Sequence, residues 1–344
     1  MCQHWHHKAM DYVRTRGIAR LLPGRETALR WAAVAAAAVL AAPMAAALDP
    51  PPARADTGSP SASAPSVFDP PWRDPGASVP TDEEKAVLSL AVERDLAEDL
   101  DAYRADISGD FSVAAVELDS GAAFGYRHEE PFNPGSVIKL DILSILLLQA
   151  QADGRTLNDA ERALAKAAIG HSSNDAADGL FERIGMYAGF QRGRARLGLT
   201  GAEDRLGGRW GLVSTTARER LTLLRGIYTD EGPLTADSRR TVRGFLSGVA
   251  PEQAWGVSAA DRGDGAELKN GWVPVESDGG RWAVNSTGRI VADDGRTYLV
   301  AVLSSGHPGY GAGVECTEHV AEAVVDAMAA DIARQAPRGP VGSA

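Results

Sequence analysis

The chain has 344 residues, 44% hydrophobic and 24% charged, enough length and apolar content for one large globular domain or two ordinary ones. Its 35 Lys and Arg against 46 Asp and Glu give a net charge of −11. An acidic chain without a basic stripe argues against a nucleic-acid partner.

In chain order, residues 1–30 carry Lys8, Arg14, Arg16, Arg20, Arg25 and Arg30 against only Asp11 and Glu26. An uncharged, alanine-rich run from Trp31 to Leu48 follows. A positive segment, an apolar one and then small residues is the layout of an export signal. Cleavage fits Ala45-Ala46-Ala47 or Ala53-Arg54-Ala55. The alternative is a retained membrane anchor through residues 31–48, although alanine is weakly hydrophobic and Pro43 interrupts the run. No Arg-Arg pair precedes the run and no cysteine closely follows it, so the general secretory route is expected, without a lipid anchor. The domain is then expected outside the cytoplasmic membrane, secreted or anchored there.

Reading residues 1–55 as signal or anchor leaves 28 basic and 43 acidic residues, a net charge of −15. Cys2 goes with the leader, so Cys316 has no partner for an internal disulfide. His4, His6 and His7 fall in the same leader and are read as incidental. There is no Gly-rich phosphate loop, and no metal or cofactor is expected.

Nine prolines lie between residues 49 and 80, and residues 56–80 read as a stiff, disordered linker. A folded domain is expected over 81–335, with 336–344 as a disordered tail. Thr81 and Glu84 have capping-box spacing and open an amphipathic helix to about Ile107, with Val87, Leu88, Ala91, Leu96 and Leu100 apolar. FSVAAVEL (111–118), the turn Asp119-Ser120-Gly121 and AAFGYR (122–127) predict a hairpin. From Ser136 to about Glu231 the pattern is helical, punctuated by Gly154, Gly170, Gly185 and the glycines at 198–211. Strand patterns return at 266–273, 281–291 and 297–304, and a last helix is expected over 315–333. Both ends of the domain thus feed one antiparallel five-stranded sheet, and the middle inserts an all-helical lobe, an α/β architecture with a cleft between sheet and lobe.

Three short motifs could line that cleft. In "NPGSVIKLD", Ser136 and Lys139 share a helical face, so the lysine could serve as the base that serine needs as a nucleophile. The plainer reading is a helix cap and a surface lysine, but Lys139 sits among Ile138, Leu140, Ile142 and Leu143. In "GHSSNDAADGL", Ser172 and Asn174 either cap a helix or stand together at a reactive turn. His171 invites comparison with a Ser-His-Asp triad, but no G-x-S-x-G elbow is present. In "LKNGWVP", Lys269 either flanks an Asn-Gly hairpin turn or faces the cleft from an edge strand, where it would bind a carboxylate and depress the pKa of Lys139.

Their order, S-x-x-K then S-x-N then K-x-G, resembles the penicillin-recognising serine enzymes, meaning class A β-lactamases and penicillin-binding D,D-peptidases. The likeness covers about residues 81–335 and is carried by "FNPGSVIK", "SSNDAAD" and "KNG", with Phe132 fitting F-x-x-x-S-x-x-K. It implies that Ser136 is acylated, that Lys139 is its base or proton shuttle, and that Ser172 passes the proton to the leaving nitrogen. Asn174 would bind the substrate's amide side chain, and Lys269 its carboxylate. The N–H groups of Ser136 and of Trp272, just after Gly271, would form the oxyanion hole. Arg281 or Arg289 on the next strand would assist with the carboxylate.

The sequence departs from that pattern in four places. Ser173 stands where β-lactamases usually carry aspartate, and Asn270 replaces the usual Thr or Ser of the third motif. The 36 positions from Ser136 to Ser172 are fewer than in class A enzymes. The segment "GLTGAEDRLGGRWGLVSTTARE" lacks the E-x-x-L-N glutamate that activates the deacylating water; Glu203 and Asp204 are the candidate substitutes before Thr215-Thr216. The expected substrate is a small-molecule β-lactam or a peptidoglycan stem peptide, and a monomer is expected. A D,D-carboxypeptidase or transpeptidase, and a non-catalytic module binding β-lactam or cell wall, are the competing functions.

Overall fold

A computed structural model describes residues 88–200, 210–263 and 265–335, all within one unit, Val67–Ala344. The leader, the proline-rich stretch, Thr81, Glu84, Glu203, Asp204 and the tail after Gln335 lie outside the described residues. The first described helix, α1 (Leu90–Asp106), is capped instead by Ser89, whose hydroxyl accepts from Val92 N at 3.4 Å.

The hairpin forms as expected from β1 (Asp110–Glu117) and β2 (Ala123–Tyr126), with Val113 opposite Tyr126. The Glu117 carboxylate closes its turn by accepting from Asp119 N at 3.0 Å and Ser120 N at 2.7 Å. With β3 (Glu267–Val275), β4 (Arg281–Val291) and β5 (Thr297–Ser305) it makes an antiparallel five-stranded sheet in the order β2-β1-β5-β4-β3. Strand β3 is therefore an edge.

Side chains alternate across the two faces, as the strand period of two requires. Phe111, Val113, Ala115, Tyr298, Val300 and Val302 face a core shared with α1 and the last helix, α8 (Tyr310–Gln335). Ala114, Val116, Leu299 and Leu303 face the helical lobe. Helix α8 begins five residues before the expected Glu315. Gly309, Gly311 and Gly313 weaken the helical signal there, yet a Cβ on Gly313 would stand 2.3 Å from a Val284 methyl.

The lobe holds α2 (Lys139–Ala152), α3 (Asp159–Gly170), α4 (Asn174–Arg183), α5 (Met186–Arg196), α6 (Ala217–Tyr228) and α7 (Ala236–Leu246). The sequence pattern was read as helical only to about Glu231; Gly232 and Pro233 interrupt it, and Thr235 restarts a helix by accepting from Ser238 N at 3.3 Å. Helix α2 is apolar nearly all round, and eleven of its fourteen residues are buried, the signature of a core helix.

One polar residue of α2 organises its neighbours. Asp141, fully buried, accepts from Arg194 of α5 and from Arg220 of α6, the latter at 3.0 Å through Nη2. Arg194 also donates to Glu219 at 2.9 Å and 3.1 Å, and Glu219 accepts from the Thr215 hydroxyl at 3.0 Å. Two arginines and two acids thus neutralise one another inside the lobe. Removing one member of such a buried network leaves uncompensated charge, at about 3–5 kcal/mol. Asp141→Asn is expected to lose about that much stability by urea unfolding; an unchanged midpoint would mean the network carries no weight.

Candidate active site

Ser136 lies in a 3-10 turn, Gly135–Ile138, that runs directly into α2. The chain enters through Asn133, whose Oδ1 accepts from Gly135 N at 3.0 Å and whose carbonyl accepts from Asn285 Nδ2 of β4 at 2.9 Å. Phe132 and Thr215 exchange backbone hydrogen bonds at 2.8 Å and 3.0 Å, tying this entry to the start of α6. The serine is half-buried, and neither its hydroxyl nor its N–H is hydrogen-bonded to another described residue.

Edge strand β3 packs against this turn backbone to backbone. A Cβ on Gly271 would stand 2.5 Å from Ser136 N and 2.6 Å from both Pro134 O and Val137 N. A Cβ on Gly135, whose φ is +51°, would meet Trp272 N at 2.9 Å. Only glycine fits either side of the seam. It brings Gly271 and the N–H groups of Ser136 and Trp272 together, as an oxyanion hole needs.

Lys139 is fully buried. Its Nζ donates to Ser172 O at 2.5 Å, Asn174 Oδ1 at 2.7 Å and Ser172 Oγ at 3.3 Å. No hydrogen bond joins it to Ser136 one turn earlier; the amine leans toward the Ser172 turn. Lys269, also buried, donates to the same Ser172 Oγ at 3.0 Å and to Asn270 O at 2.7 Å. Burial pushes Lys139 down to about 7, opposed by the charge of Asp178. Lys269 is pushed well below its ordinary value by burial and then by the Lys139 charge. The motifs implied that Lys269 depresses Lys139; the effect runs the other way, from the Lys139 charge onto Lys269, although the two amines do meet at one hydroxyl.

Ser172 has a left-handed backbone, φ +57°, a conformation that costs a non-glycine residue about 1–3 kcal/mol and concentrates at functional sites. The next residue explains one departure: Ser173 caps α4 by accepting from Ala176 N at 3.2 Å, the role an aspartate there would also fill. Asn270 is turned inward, with Nδ2 donating to Gln253 O at 2.8 Å and Trp255 O at 3.0 Å. It supplies structure where a hydroxyl would have faced a carboxylate.

The two arginine candidates do not reach the site. Arg281 pairs with Val275 at the far end of β3 and donates to Gly306 O at 2.5 Å. Arg289 faces Glu267 at 3.9 Å and Thr297 Oγ1 at 3.4 Å. The residue opposite Asn270 is Ser286, so the strand register places a different side chain there. His171 is exposed, 3.9 Å from Glu252, and makes no triad with Ser136. Motif reading missed Trp210, whose ring centroid lies 5.5 Å from Lys139 Nζ, and its partner Asp178, which accepts from Trp210 Nε1 at 2.7 Å. Asp178 was accessible in principle, one helical turn beyond Asn174. Nothing local marks Trp210.

No family model matches the chain, and no curated protein matches it in sequence. Solved structures do match. TLA-1 extended-spectrum β-lactamase is 15% identical, over 69% of this chain and 99% of its own, with a TM-score of 0.61. A β-lactamase from Burkholderia phymatum is 18% identical, over 70% and 100%, with a TM-score of 0.57. A point mutant of PBP-A, solved as an acyl-enzyme complex with penicillin G, is 18% identical, over 72% and 98%, with a TM-score of 0.59. The protein has the fold of the class A β-lactamases and of PBP-A, the penicillin-recognising serine hydrolase fold that the order of its motifs implied.

The Gly271 seam yields a prediction. Gly271→Ala must push β3 away from Ser136 and displace the Trp272 N–H. Loss of one oxyanion donor typically costs about 10²–10³-fold, so acylation by a reporter penicillin should fall by that much. Wild-type acylation in a folded Gly271→Ala protein would show that the two N–H groups do not act together.

Proposed function

We propose that this protein is an exported active-site serine acyl hydrolase that opens β-lactam rings through an acyl-enzyme on Ser136 and releases the product slowly. The observation that carries the reading is the buried Lys139. Its amine, pushed down to about 7, stands one turn after Ser136 and contacts a hydroxyl that a second buried lysine also holds.

In this reading neutral Lys139 takes the Ser136 proton, directly or through Ser172. Ser136 Oγ bonds to the lactam carbonyl carbon, and the N–H groups of Ser136 and Trp272 hold the oxyanion. When the C–N bond breaks, the Ser172 hydroxyl gives its proton to the nitrogen and is resupplied from Lys139. Lys269 meets the substrate carboxylate, and Asn174 binds the amide side chain. Slow release follows from the missing E-x-x-L-N glutamate.

Intact mass after incubation with a penicillin tests the assignment. One adduct is expected on the wild type and none on Ser136→Ala, with labelling slowed about 10²–10⁴-fold in Lys139→Ala. Because the neutral amine is the active form, acylation should level off above about pH 7 and fall as Lys139 protonates below it. A chromogenic cephalosporin should give a burst near one equivalent, then slow turnover. Labelling of Lys139→Ala at the wild-type rate would refute the base assignment.

The same site suits a D,D-carboxypeptidase or transpeptidase acting on peptidoglycan stems, and the absent E-x-x-L-N motif supports that second reading. Release of D-Ala from a stem-peptide mimic faster than cephalosporin turnover would favour it. A non-catalytic binding module would form no adduct at all. Export rests on the leader and linker. Culture fluid, or protease treatment of wall-stripped cells, should find the domain outside; protection inside the membrane would refute it.

A further inference from the structure

Helix α4 presents Asn174 and Asp178 one turn apart on one face. Asn174 is bonded to Lys139 Nζ at 2.7 Å. Asp178, exposed to solvent, accepts from the Trp210 indole at 2.7 Å, and that ring lies 5.5 Å from the same Nζ. Carboxylate, indole and amine therefore stand in a row, the amine belonging to the lysine one turn after Ser136. Three other acids near the site are engaged elsewhere. Asp141 is held by Arg194 and Arg220, Glu219 by Arg194 and Thr215, and Glu252 stands beside His171. Among the described residues, Asp178 is the carboxylate whose charge acts on Lys139.

We propose, resting on the acyl-enzyme reading above, that Asp178 is the general base of deacylation and that Trp210 positions it. Its oxygen not engaged by the indole accepts a proton from a water molecule. The water oxygen bonds to the acyl carbon of the Ser136 ester, and the oxyanion stays on the Ser136 and Trp272 N–H groups. Collapse breaks the bond from carbon to Ser136 Oγ; the proton taken by Asp178 passes through solvent to neutral Lys139, which relays it to Ser136 Oγ and is left neutral again. The carboxylic acid product leaves. The consumed co-reactant is water, and no redox step is involved. A base supplied by α4 does the work that a loop glutamate does elsewhere, from the side of the site that solvent reaches.

The test separates the two half-reactions. Wild type, Asp178→Asn, Asp178→Glu, Trp210→Phe, Glu203→Gln and Asp204→Asn are each acylated with a penicillin, freed of excess reagent and followed by intact mass as the adduct decays. Asp178→Asn should deacylate about 10²-fold more slowly, with acylation within a few-fold of wild type. Asp178→Glu should recover part of the loss, because a carboxylate is restored. Trp210→Phe, which removes the indole donor, should slow deacylation more than acylation. Glu203→Gln and Asp204→Asn should decay like the wild type.

An adduct lost equally fast from Asp178→Asn and wild type overturns this inference alone. So does equal slowing of both half-reactions, which would make Asp178 only a modulator of Lys139. So does slow decay in Glu203→Gln or Asp204→Asn with normal decay in Asp178→Asn. Absence of any adduct on the wild type overturns the acyl-enzyme reading and this inference with it.

Discussion

Two buried lysine amines share one hydroxyl oxygen, and much of the architecture serves that arrangement. Ser172 Oγ accepts from Lys139 at 3.3 Å and from Lys269 at 3.0 Å. Ammonium groups brought out of water this close are unfavourable, so both amines are pushed toward neutrality, Lys139 by burial and Lys269 by burial and then by the Lys139 charge. The arrangement persists only because its surroundings over-determine it. The apolar length of α2 anchors Lys139, edge strand β3 carries Lys269, and a left-handed turn aims Ser172 between them.

The seam between sheet and lobe is the second constraint. Glycines at 135 and 271 let two backbones meet where any side chain would collide, and Asn133 and Asn285 tie the same junction by hydrogen bonds. The Asp141 network works from the other side. It fixes α2 against α5 and α6 two residues beyond Lys139, so this lysine sits on a helix tied down within its first turn. Rigid support of this kind is what an active-site constellation requires.

Where the chain departs from the family pattern, the substitutes have readable physical roles. Ser173 caps α4 in place of an aspartate. Asn270 fastens the segment at Gln253 and Trp255 to β3, and so gives up the hydroxyl function of its position. Trp272 adds an indole at the seam with the Ser136 turn, packed edge-on with Trp255 and Tyr310 at centroid distances of 5.9 Å. The surface next to Ser136 is thus aromatic where the motif alone specifies only a backbone donor.

Much of this was legible in the sequence because the signals are local. Alternating apolar residues mark β1 and β5, and an all-round apolar run marks α2 as a core helix. That run also forces Lys139 to be buried, since no face of α2 is left for solvent. S-x-x-K, S-x-N and K-x-G each carry a local backbone requirement, and their order was enough to reach the fold. Other features depend on distant segments. The register of β3 on β4 sets Ser286, not Arg281 or Arg289, opposite Asn270, and strand patterns do not encode register between separate strands. The inward turn of Asn270 and the stacking of Trp210 beside Lys139 depend on residues brought from 17 and 71 positions away, respectively. By itself, then, the sequence determined which groups are candidates for the chemistry and which elements bear them. Tertiary structure alone decided which groups meet, because packing, not spacing along the chain, sets distances between side chains on different elements.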